Sequence, residues 1–415
     1  MVKTLNNLIN ILHFLKKIIL YFFRKFIMLF IILLLPLILI LKRFKNFYFV
    51  FIPWRIGAYL ALEPFIRENE NNLAKKNVSI FCYLEKPTAN EFLAELYIKR
   101  MKATKNIKFV KSNRFNKLLW KYIYDVDELL FKKKTKLFLQ MGVRKKYNIF
   151  AHGTSIISMP DRENKKALES LSYLGFNKNS KWICIHNRDS GYLNWLEPNR
   201  DWRYHNYRDW PIDDMQLALE YFVKKGYYVI RIGKKTNQQM KTNNPKIIDF
   251  INHKERNDLN ETFLISNCEF YFGSNCGAYA VPIIFRKPVF IINTCPIEGI
   301  FDFLRNYPRI FKRVFDLEKE KILTIREMAD RNLFHLFKTE DYKEKKIKLI
   351  NNTPSEILSF AIEAERRVNK TWTSNKGYEE NYLKFLKEIS RDLLLKNRHY
   401  KNLIGHEFLK NTEIY

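Results

Sequence analysis

The sequence predicts an α/β protein whose strands and helices alternate along the chain and form a parallel, doubly wound sheet. Short continuous apolar runs, such as residues 182–185, have the composition of strands that are buried on both faces. Helix-stop signals separate these runs, as at Gly226. The chain has 415 residues, of which 47% are hydrophobic, which is enough for two domains plus an extension.

Residues 1–46 form the extension. Residues 26–41 are apolar and uncharged, with Lys and Arg on both sides and Pro36 in the middle. About 16 helical residues cover roughly 24 Å, less than the roughly 30 Å of a bilayer's hydrocarbon core. We predict a membrane anchor, either a re-entrant or in-plane helix or a short tilted span. The alternative is a buried helix of a soluble protein.

Residues 47–143 are predicted to form a first α/β domain. The predicted strands are residues 47–52, 78–84 and 107–110, and the predicted helical segments are 58–67, 90–101 and most of 118–141. Residues 144–180 contain a poorly patterned run, AHGTSIISMPDREN. We interpret that segment as the connection between two domains and expect a cleft beside it.

Residues 181–330 are predicted to form the second domain. Its strands are predicted at residues 182–185, 227–232, 247–251, 270–272 and 289–293, with helices between them that begin at 213 or 214, at 257 and at 278. Residues after about 301 are expected to be largely helical, and 331–415 are assigned to C-terminal helices. Within them Thr353, Pro354 and Glu356 have the spacing of a helix start with a capping box.

Composition excludes several classes of function. The net charge of +30 comes from lysines spread along the whole chain, and no nucleic-acid-binding motif accompanies it. We therefore expect anionic membranes and phosphorylated substrates, and not nucleic acid, as partners. The five cysteines form no CxxC pair, a pattern typical of reduced cytosolic proteins. No HExxH spacing or carboxylate cluster indicates a metal site.

Three polar loops follow predicted strands of the second domain. Because the carboxyl ends of parallel strands meet at one edge of a sheet, we expect the loops to line one rim and to bind an anion there. The loops supply His186, Arg188, Asp189, His205 and Arg208, then Arg231, Gly233 and Lys234, and finally Ser274, Asn275 and Gly277. The alternatives are a solvated polar loop, surface ion pairs for Arg231 and Lys234, and a turn at residues 273–277 that serves packing.

The acid–base candidates at this rim are His186, Asp189 and His205, and the sequence does not decide among them. Ser190 lacks a nucleophile elbow and Cys276 lacks an adjacent acid–base signature, so both are interpreted as neighbours only.

The sequence around these candidate residues resembles that of a known protein family. The runs HNRDSGYL, YHNYRD, GYYVIRIGK and GSNCGAYAVPIIFRKP, together with NNTPSEI, resemble a family of bacterial glycosyltransferases associated with lipopolysaccharide or capsule biosynthesis. The resemblance covers residues 181–296 and the helix near 354. It implies a GT-B architecture of two facing Rossmann-like domains, with an acceptor-side first domain and a donor-binding second domain.

The resemblance also implies roles for the rim. His186, Arg188 and Asp189 would lie in the active-site motif with His205 and Arg208 beside it. Arg231, Lys234 and the loop carrying Ser274, Asn275 and Gly277 would meet the donor diphosphate. Transfer would need no metal and no cofactor beyond the nucleotide-sugar co-substrate.

The predicted function is therefore sugar transfer from a nucleotide-diphosphate donor to a lipid-linked or surface-glycan acceptor. The cysteine pattern and the location of nucleotide sugars place the predicted enzyme at the cytoplasmic face of the bacterial inner membrane. The two rivals are a nucleotide-sugar epimerase on the same fold and a non-catalytic basic membrane scaffold. An epimerase requires no anchor, and a scaffold requires no polar residues at three strand ends.

Overall fold

The computed structural model describes residues 2–44, 47–53, 55–68, 70, 78–104, 106–110, 113–131, 137–138, 150, 153–177, 179–297, 308–390 and 404–410. Its contacts divide the chain into two compact units. The first unit comprises Met1–Ala89 and Tyr97–Gly142, and the second comprises Asn90–Leu96 and Val143–Tyr415.

The first unit is built on a parallel sheet of three strands in the order β1-β2-β3, which confirms the predicted strands. These are β1 (Phe47–Ile52), β2 (Ser79–Leu84) and β3 (Ile107–Phe109). The helices of this part of the chain are α1 (Val2–Phe44), α2 (Leu62–Glu68, after a 3-10 turn at Ile56–Ala61), α3 (Glu91–Lys102) and α4 (Arg114–Phe131).

The prediction of a mostly helical segment at residues 118–141 is confirmed for its first part. Residues 118–131 belong to α4, whereas Phe138 forms a β-bridge with Phe49 of β1. The buried Asp127 carboxylate accepts the backbone N–H groups of Leu137 and Phe138 at 3.1 and 3.3 Å. A helical side chain thus satisfies donors that an isolated bridge leaves unpaired. Residues 132–136 and 139–141 lie outside the described part.

Helix α1 is much longer than the apolar segment that predicted it. One face packs against α4 and the sheet, where Ile31 is buried and Ile27 and Ile38 are partly buried. Within the described residues no single helix is both long and apolar enough to cross a membrane. Lys25–Leu34 and Pro36–Lys42, bent by 42° where they meet, have the length and composition of a span only when taken together.

The second unit contains a six-stranded sheet in the order β6-β5-β4-β7-β8-β9, and every neighbouring pair is parallel. Its strands are β4 (Trp182–His186), β5 (Tyr228–Arg231), β6 (Ile247–Asp249), β7 (Phe270–Ser274), β8 (Val289–Thr294) and β9 (Arg309–Phe311). The first five confirm the predicted strands and the doubly wound alternation. Their side chains are almost all buried, as strands covered on both faces require.

Three helices between these strands correspond to predicted ones: α7 (Gln216–Lys224), α8 (Asp258–Asn267) and α9 (Ala280–Ile284). Two further helices were not predicted: α5 (Asp161–Leu171), which precedes β4, and α6 (Gly191–Leu196), which lies in the polar stretch after β4. The Asn257 side chain accepts the Asn260 N–H at the start of α8, and Gly226 takes a φ of 91° after α7. Helix α5 lies in the segment predicted as the interdomain connection, of which residues 144–149, 151–152 and 178 are outside the described part.

The expectation that residues after about 301 are largely helical holds in part, because the described residues there contain five helices and also short strands. Besides β9, this region holds an antiparallel sheet of β10 (Arg313–Asp316), β11 (Lys321–Ile322) and β12 (Ile347–Ile350). Strands of two to four residues are too short to show a period. The helices there are α10 (Ile325–Asp330), α11 (Thr339–Glu344), α12 (Pro354–Val368), α13 (Lys376–Ile389) and α14 (His406–Lys410). The capping box of Thr353 and Glu356 is confirmed.

Candidate functional site

The strand order of the six-stranded sheet reverses beside β4. β5 and β6 lie on one side of β4, and β7, β8 and β9 lie on the other. In parallel sheets, ligands bind in the crevice that opens at such a reversal, outside the carboxyl ends of the strands. Residues 187–190 follow β4 and residues 275–277 follow β7, so two of the three predicted loops meet at this point.

Gly273 is required by the close approach of β4 and β7. It pairs with His186, and a Cβ atom built on Gly273 would lie 2.1 Å from the His186 carbonyl oxygen. Atoms overlap at that distance, so only glycine fits. The pairing places the half-buried His186 ring at the edge of the crevice.

Ser274 is buried, and its hydroxyl is fully used inside the protein. The Ser274 Oγ accepts the Arg188 backbone N–H at 2.7 Å and the Trp210 indole N–H at 2.9 Å. It lies 3.3 Å from the His186 carbonyl oxygen, to which it donates. A hydroxyl has one donor and two acceptor positions, so none remains for a ligand. Ser274 holds the loops together in this structure, and its predicted contact with a donor phosphate stays a prediction.

Arg188 lies in the crevice wall with one ion-pair partner. Its guanidinium bonds to the Asp209 carboxylate, and both side chains are largely shielded from water. Burial, and next the charge of Arg208, lower the pKa of Arg188 to about 10. A second guanidinium, that of Arg208, is therefore close enough to repel the first.

Arg208 is that second guanidinium, and its charge is not balanced locally. No carboxylate in the described part of the chain pairs with it, and its buried Nε–H has no acceptor there. Its nearest recorded contact is the face of the Tyr207 ring, 5.5 Å from the guanidinium carbon. A partly buried guanidinium with unused N–H groups is suited to bind an external anion.

Lys312 adds a third cation beside these arginines. Its buried ammonium donates to the carbonyl oxygens of Tyr207 and Asp209 at 3.0 and 2.9 Å. Burial lowers the pKa of Lys312, and the nearby Arg188 acts in the same direction. The ammonium thus fixes the backbone on either side of Arg208 and adds positive charge to the crevice.

Cys276 forms a pair with His186, which the sequence interpretation missed. The Cys276 Sγ lies 3.3 Å from His186 Nδ1. Burial opposes ionisation of the thiol, but His186, the Ala278 N–H and Arg188 outweigh it and lower the pKa of Cys276 to about 7. Cys276 was treated as a mere neighbour, and the structure corrects this because its acid–base partner comes from another strand.

Asp189 caps loops instead of facing solvent as a free base. One carboxylate oxygen accepts the Gly191 N–H at 2.8 Å. The other accepts the Thr236 hydroxyl and the Asn237 N–H, the latter at 2.9 Å. These bonds connect the loop after β4 with the loop after β5, so the carboxylate has a positioning role.

Arg231 is buried, and both of its Nη atoms are paired inside the protein, whereas its Nε–H has no acceptor among the described residues. Its predicted contact with the donor diphosphate stays a prediction. Its Nη1 donates to the Gln238 carbonyl at 2.7 Å and to Asp249 at 3.2 Å. Its Nη2 donates to the side chains of Asn187 at 2.8 Å and Thr236 at 2.9 Å. These bonds use the four Nη–H donors, so Arg231 joins β4, β5 and β6 internally.

The positive charges around the loop after β5 are also paired with carboxylates inside the protein. The Gly233 N–H donates to Glu261 at 2.8 Å, and Arg256 pairs with Asp258 and Glu261 at 3.1 and 2.7 Å. Lys234 Nζ lies 3.7 Å from Asp258. The alternative interpretation of Lys234, a surface ion pair, fits this geometry.

The remaining predicted residues lie around the crevice with different exposures. The His205 ring lies against the Tyr204 ring, with ring centres 3.9 Å apart and the ring planes tilted by 39°. Asn275 donates to the Cys295 carbonyl at 3.1 Å, which ties the loop after β7 to the end of β8. Gly277 is exposed. Within the described ranges no group of three or more His, Cys, Asp or Glu side chains could hold a metal ion.

Sequence reasoning missed Asp209 and Lys312. Asp209 lies within the quoted run YHNYRD, so a search for a carboxylate near Arg188 would have found it. Lys312 belongs to a different part of the chain, and nothing in the run RIFKRVFD marks it among the many lysines.

Comparison with known proteins gives weak likenesses. No protein-family model matches the chain. No curated protein matches it. Among solved structures, a glycosyl transferase of family 9 from Veillonella parvula DSM 2008 has a TM-score of 0.40 and 13% identity, covering 60% of this chain and 81% of that chain.

Two E. coli structures are similar at the same level. The ADP-heptose lps heptosyltransferase II has a TM-score of 0.37 and 12% identity, covering 64% of this chain and 90% of that one. A heptosyltransferase with ADP has a TM-score of 0.30 and 9% identity, covering 60% and 88%. At TM-scores below 0.5 these likenesses carry no argument about fold or activity.

Proposed function

We propose that this protein is a glycosyltransferase that moves a sugar from a nucleotide-diphosphate donor to a lipid-linked or surface-glycan acceptor. The observation that carries the proposal is the unbalanced guanidinium of Arg208 at the strand reversal. Arg188 and Lys312 lie beside it, and Asp209 is the carboxylate paired within this group. A diphosphate is the kind of anion that such an excess of positive charge would bind.

The proposed chemistry is stabilisation of the leaving diphosphate by side-chain cations. As the sugar–phosphate bond breaks, negative charge grows on the departing oxygen, and fixed cations in a partly buried crevice stabilise it most at that moment. Arg208 would contact the diphosphate directly, and Arg188 would add charge from the wall. This role needs no metal ion, in keeping with the expectation from sequence.

The acceptor proton would pass to an imidazole. Asp189 is the weakest of the three base candidates because both of its oxygens already accept hydrogen bonds. His186 and His205 remain, and an imidazole ionises near neutral pH, where a general base is most effective. The base is proposed to be one of these two.

The proposed partners follow from the rest of the chain. The first unit would recognise the acceptor, in a GT-B arrangement. Helix α1 and the positive net charge would hold the enzyme on membrane lipid at the cytoplasmic face of the bacterial inner membrane, in lipopolysaccharide or capsule biosynthesis. The donor would be a co-substrate, with no resident cofactor.

The test is calorimetric titration of inorganic pyrophosphate and of ADP, GDP and UDP into the full chain and two variants. Arg208→Ala should weaken binding by about 10- to 100-fold, because charge-assisted hydrogen bonds are lost. Arg203→Ala is the matched control, since Arg203 lies in the same turn but is exposed and paired with Asp201.

Nucleotide-sugars of the best-binding base would then be assayed with membrane glycolipid acceptors. Release of the diphosphate only with acceptor present would support transfer. If the wild type and Arg208→Ala bound pyrophosphate and the nucleoside diphosphates with equal affinity, the proposed diphosphate site would be wrong. Donor isomerisation without acceptor would favour the epimerase, and a folded protein that binds none of the ligands would favour the scaffold.

A further inference from the structure

Helix α1 carries a continuous row of exposed apolar side chains, which we call the outer stripe. Its members recur every three or four residues over about seven turns, so they share one face of the helix. Each is between 46% and 69% exposed. The outer stripe consists of Leu15, Ile19, Phe22, Phe26, Leu29, Leu33, Leu37 and Ile40.

The opposite face of the same helix already has a partner. Ile27, Ile31 and Ile38 are spaced by four and seven residues and pack into the core formed with α4 and the sheet. Ile31 is only 2% exposed. Helix α1 therefore has one apolar face that covers the protein. It also has a wide exposed apolar surface, in which the outer stripe is flanked by the exposed Phe14, Tyr21, Phe30, Ile32 and Leu41.

The charge of α1 indicates what covers the outer stripe. The sequence contains no Asp or Glu before Glu63, whereas Lys and Arg occur at 16–17, 24–25 and 42–43, on both sides of the most apolar part. A long apolar stripe with cations and without acids is typical of helices that lie on anionic lipid. If a groove of another protein covered the outer stripe instead, there would be no reason for cations without any acidic residue in this part of the chain.

The packing of α1 argues against a crossing of the bilayer. The segment that would cross includes Ile31, which is enclosed by α4 and the sheet. Lipid would have to replace that contact or surround α4 as well, and α4 carries Lys117, Lys121 and Glu128. Charged side chains in hydrocarbon are costly.

We propose that α1 lies in the plane of an anionic membrane, with the outer stripe buried in one leaflet and with no crossing. This inference rests on the proposed membrane association, but it does not depend on glycosyl transfer. It selects the in-plane helix over the re-entrant helix and the short tilted span that the sequence left open.

The first experiment is flotation of the full chain with vesicles of phosphatidylglycerol and phosphatidylcholine, or of phosphatidylcholine alone. The wild type should float with the anionic vesicles and less with the neutral ones. The double variant Phe22→Glu with Leu33→Glu should bind at least about tenfold more weakly, because two apolar side chains leave the lipid. Leu383→Glu is the control, since Leu383 is 64% exposed on α13.

Topology is tested on wild-type protein with an N-terminal epitope tag, added to sealed anionic vesicles and treated with external protease. An in-plane helix leaves the tag on the outside, so it should be removed together with the rest of the chain. A tag protected inside intact vesicles would overturn the proposal. A fluorescent label at Leu33→Cys should be quenched by lipids brominated high in the acyl chain.

Equal flotation of the double variant and the wild type would also overturn the inference. So would absence of vesicle binding together with a dimer in solution that the double variant abolishes, because the outer stripe would then join two copies. Pyrophosphate affinity measured without lipid reports on the proposed donor site alone, so the two proposals fail separately.

Discussion

Two groups of cationic side chains follow strands of the same six-stranded sheet, and they differ in how their charge is balanced. The loop after β5 and its surroundings contain Arg231, Lys234 and Arg256, which pair with Asp249, Asp258 and Glu261. The crevice beside β4 contains Arg188, Arg208 and Lys312, with Asp209 as the paired carboxylate among the described residues. We call these the balanced group and the unbalanced group.

The comparison shows that the number of cations at a strand end does not identify an anion site. Arg188 and Arg208 of one group and Arg231 and Lys234 of the other looked alike in the sequence, and all four were predicted to lie on the same anion-binding rim. Arg256 and Lys312 were not predicted. A buried cation that is already paired with a carboxylate contributes little net charge for a ligand. The residual charge distinguishes the unbalanced group, and this charge depends on which carboxylates the fold brings near.

The largest expected effect is on stability, in the balanced group. Arg231→Ala should lower the free energy of unfolding by about 3 kcal/mol, because it leaves Asp249 and Asn187 without their buried partner. Denaturant unfolding measures this. Lys165→Ala, which removes an exposed pair with Glu169, should leave the unfolding free energy unchanged.

The variant Arg231→Ala also tests the distinction between the balanced and the unbalanced group. If folded Arg231→Ala lost as much pyrophosphate affinity as Arg208→Ala, the division into balanced and unbalanced groups would be wrong.

A smaller effect concerns the thiol beside the unbalanced group. The pKa of Cys276 is about 7 in the folded protein against an ordinary value of 9.0, so between these values the unfolded chain binds more protons. Stability from this group is present above pH 9 and is lost as the pH falls through 7. The free energy of unfolding of the wild type, relative to Cys276→Ser, should therefore rise by about 2 kcal/mol from pH 7 to pH 9.

The partner of this thiol can be tested directly. In His186→Gln the ultraviolet absorbance of the thiolate should titrate at a higher pH than in the wild type, because the interaction that favours the thiolate is lost. An unchanged midpoint would mean that His186 does not set the ionisation of Cys276.

The smallest expected effect sharpens the comparison within the balanced group. Lys234→Ala removes a cation that is 3.7 Å from Asp258, where Arg256 already supplies charge. Pyrophosphate affinity should change less than about threefold, well below the loss in Arg208→Ala. Calorimetric titration at one ionic strength measures the pyrophosphate affinity of both variants. If Lys234→Ala lost as much affinity as Arg208→Ala, Lys234 would be part of the donor site.

Much of the fold could be predicted because its signals are local. Continuous apolar runs identified five strands of the large sheet, and the side chains of Asn257 and Thr353 identified helix starts. The short strands from β9 onward could not be predicted, since they are too brief to show a period and are fixed by their neighbours. The length of α1 was underestimated because only its most apolar part was counted.

The sequence alone determined the alternation of strands and helices, and with it the rim where polar loops gather. Only the tertiary structure decided which rim residues are available to a ligand. The deciding contacts join residues 86 positions apart for Arg188 and Ser274, 90 for Cys276 and His186, and 105 for Lys312 and Tyr207. Hydrogen bonds and ion pairs act over a few ångströms, so residues far apart in the chain balance each other's charge only after folding brings them together.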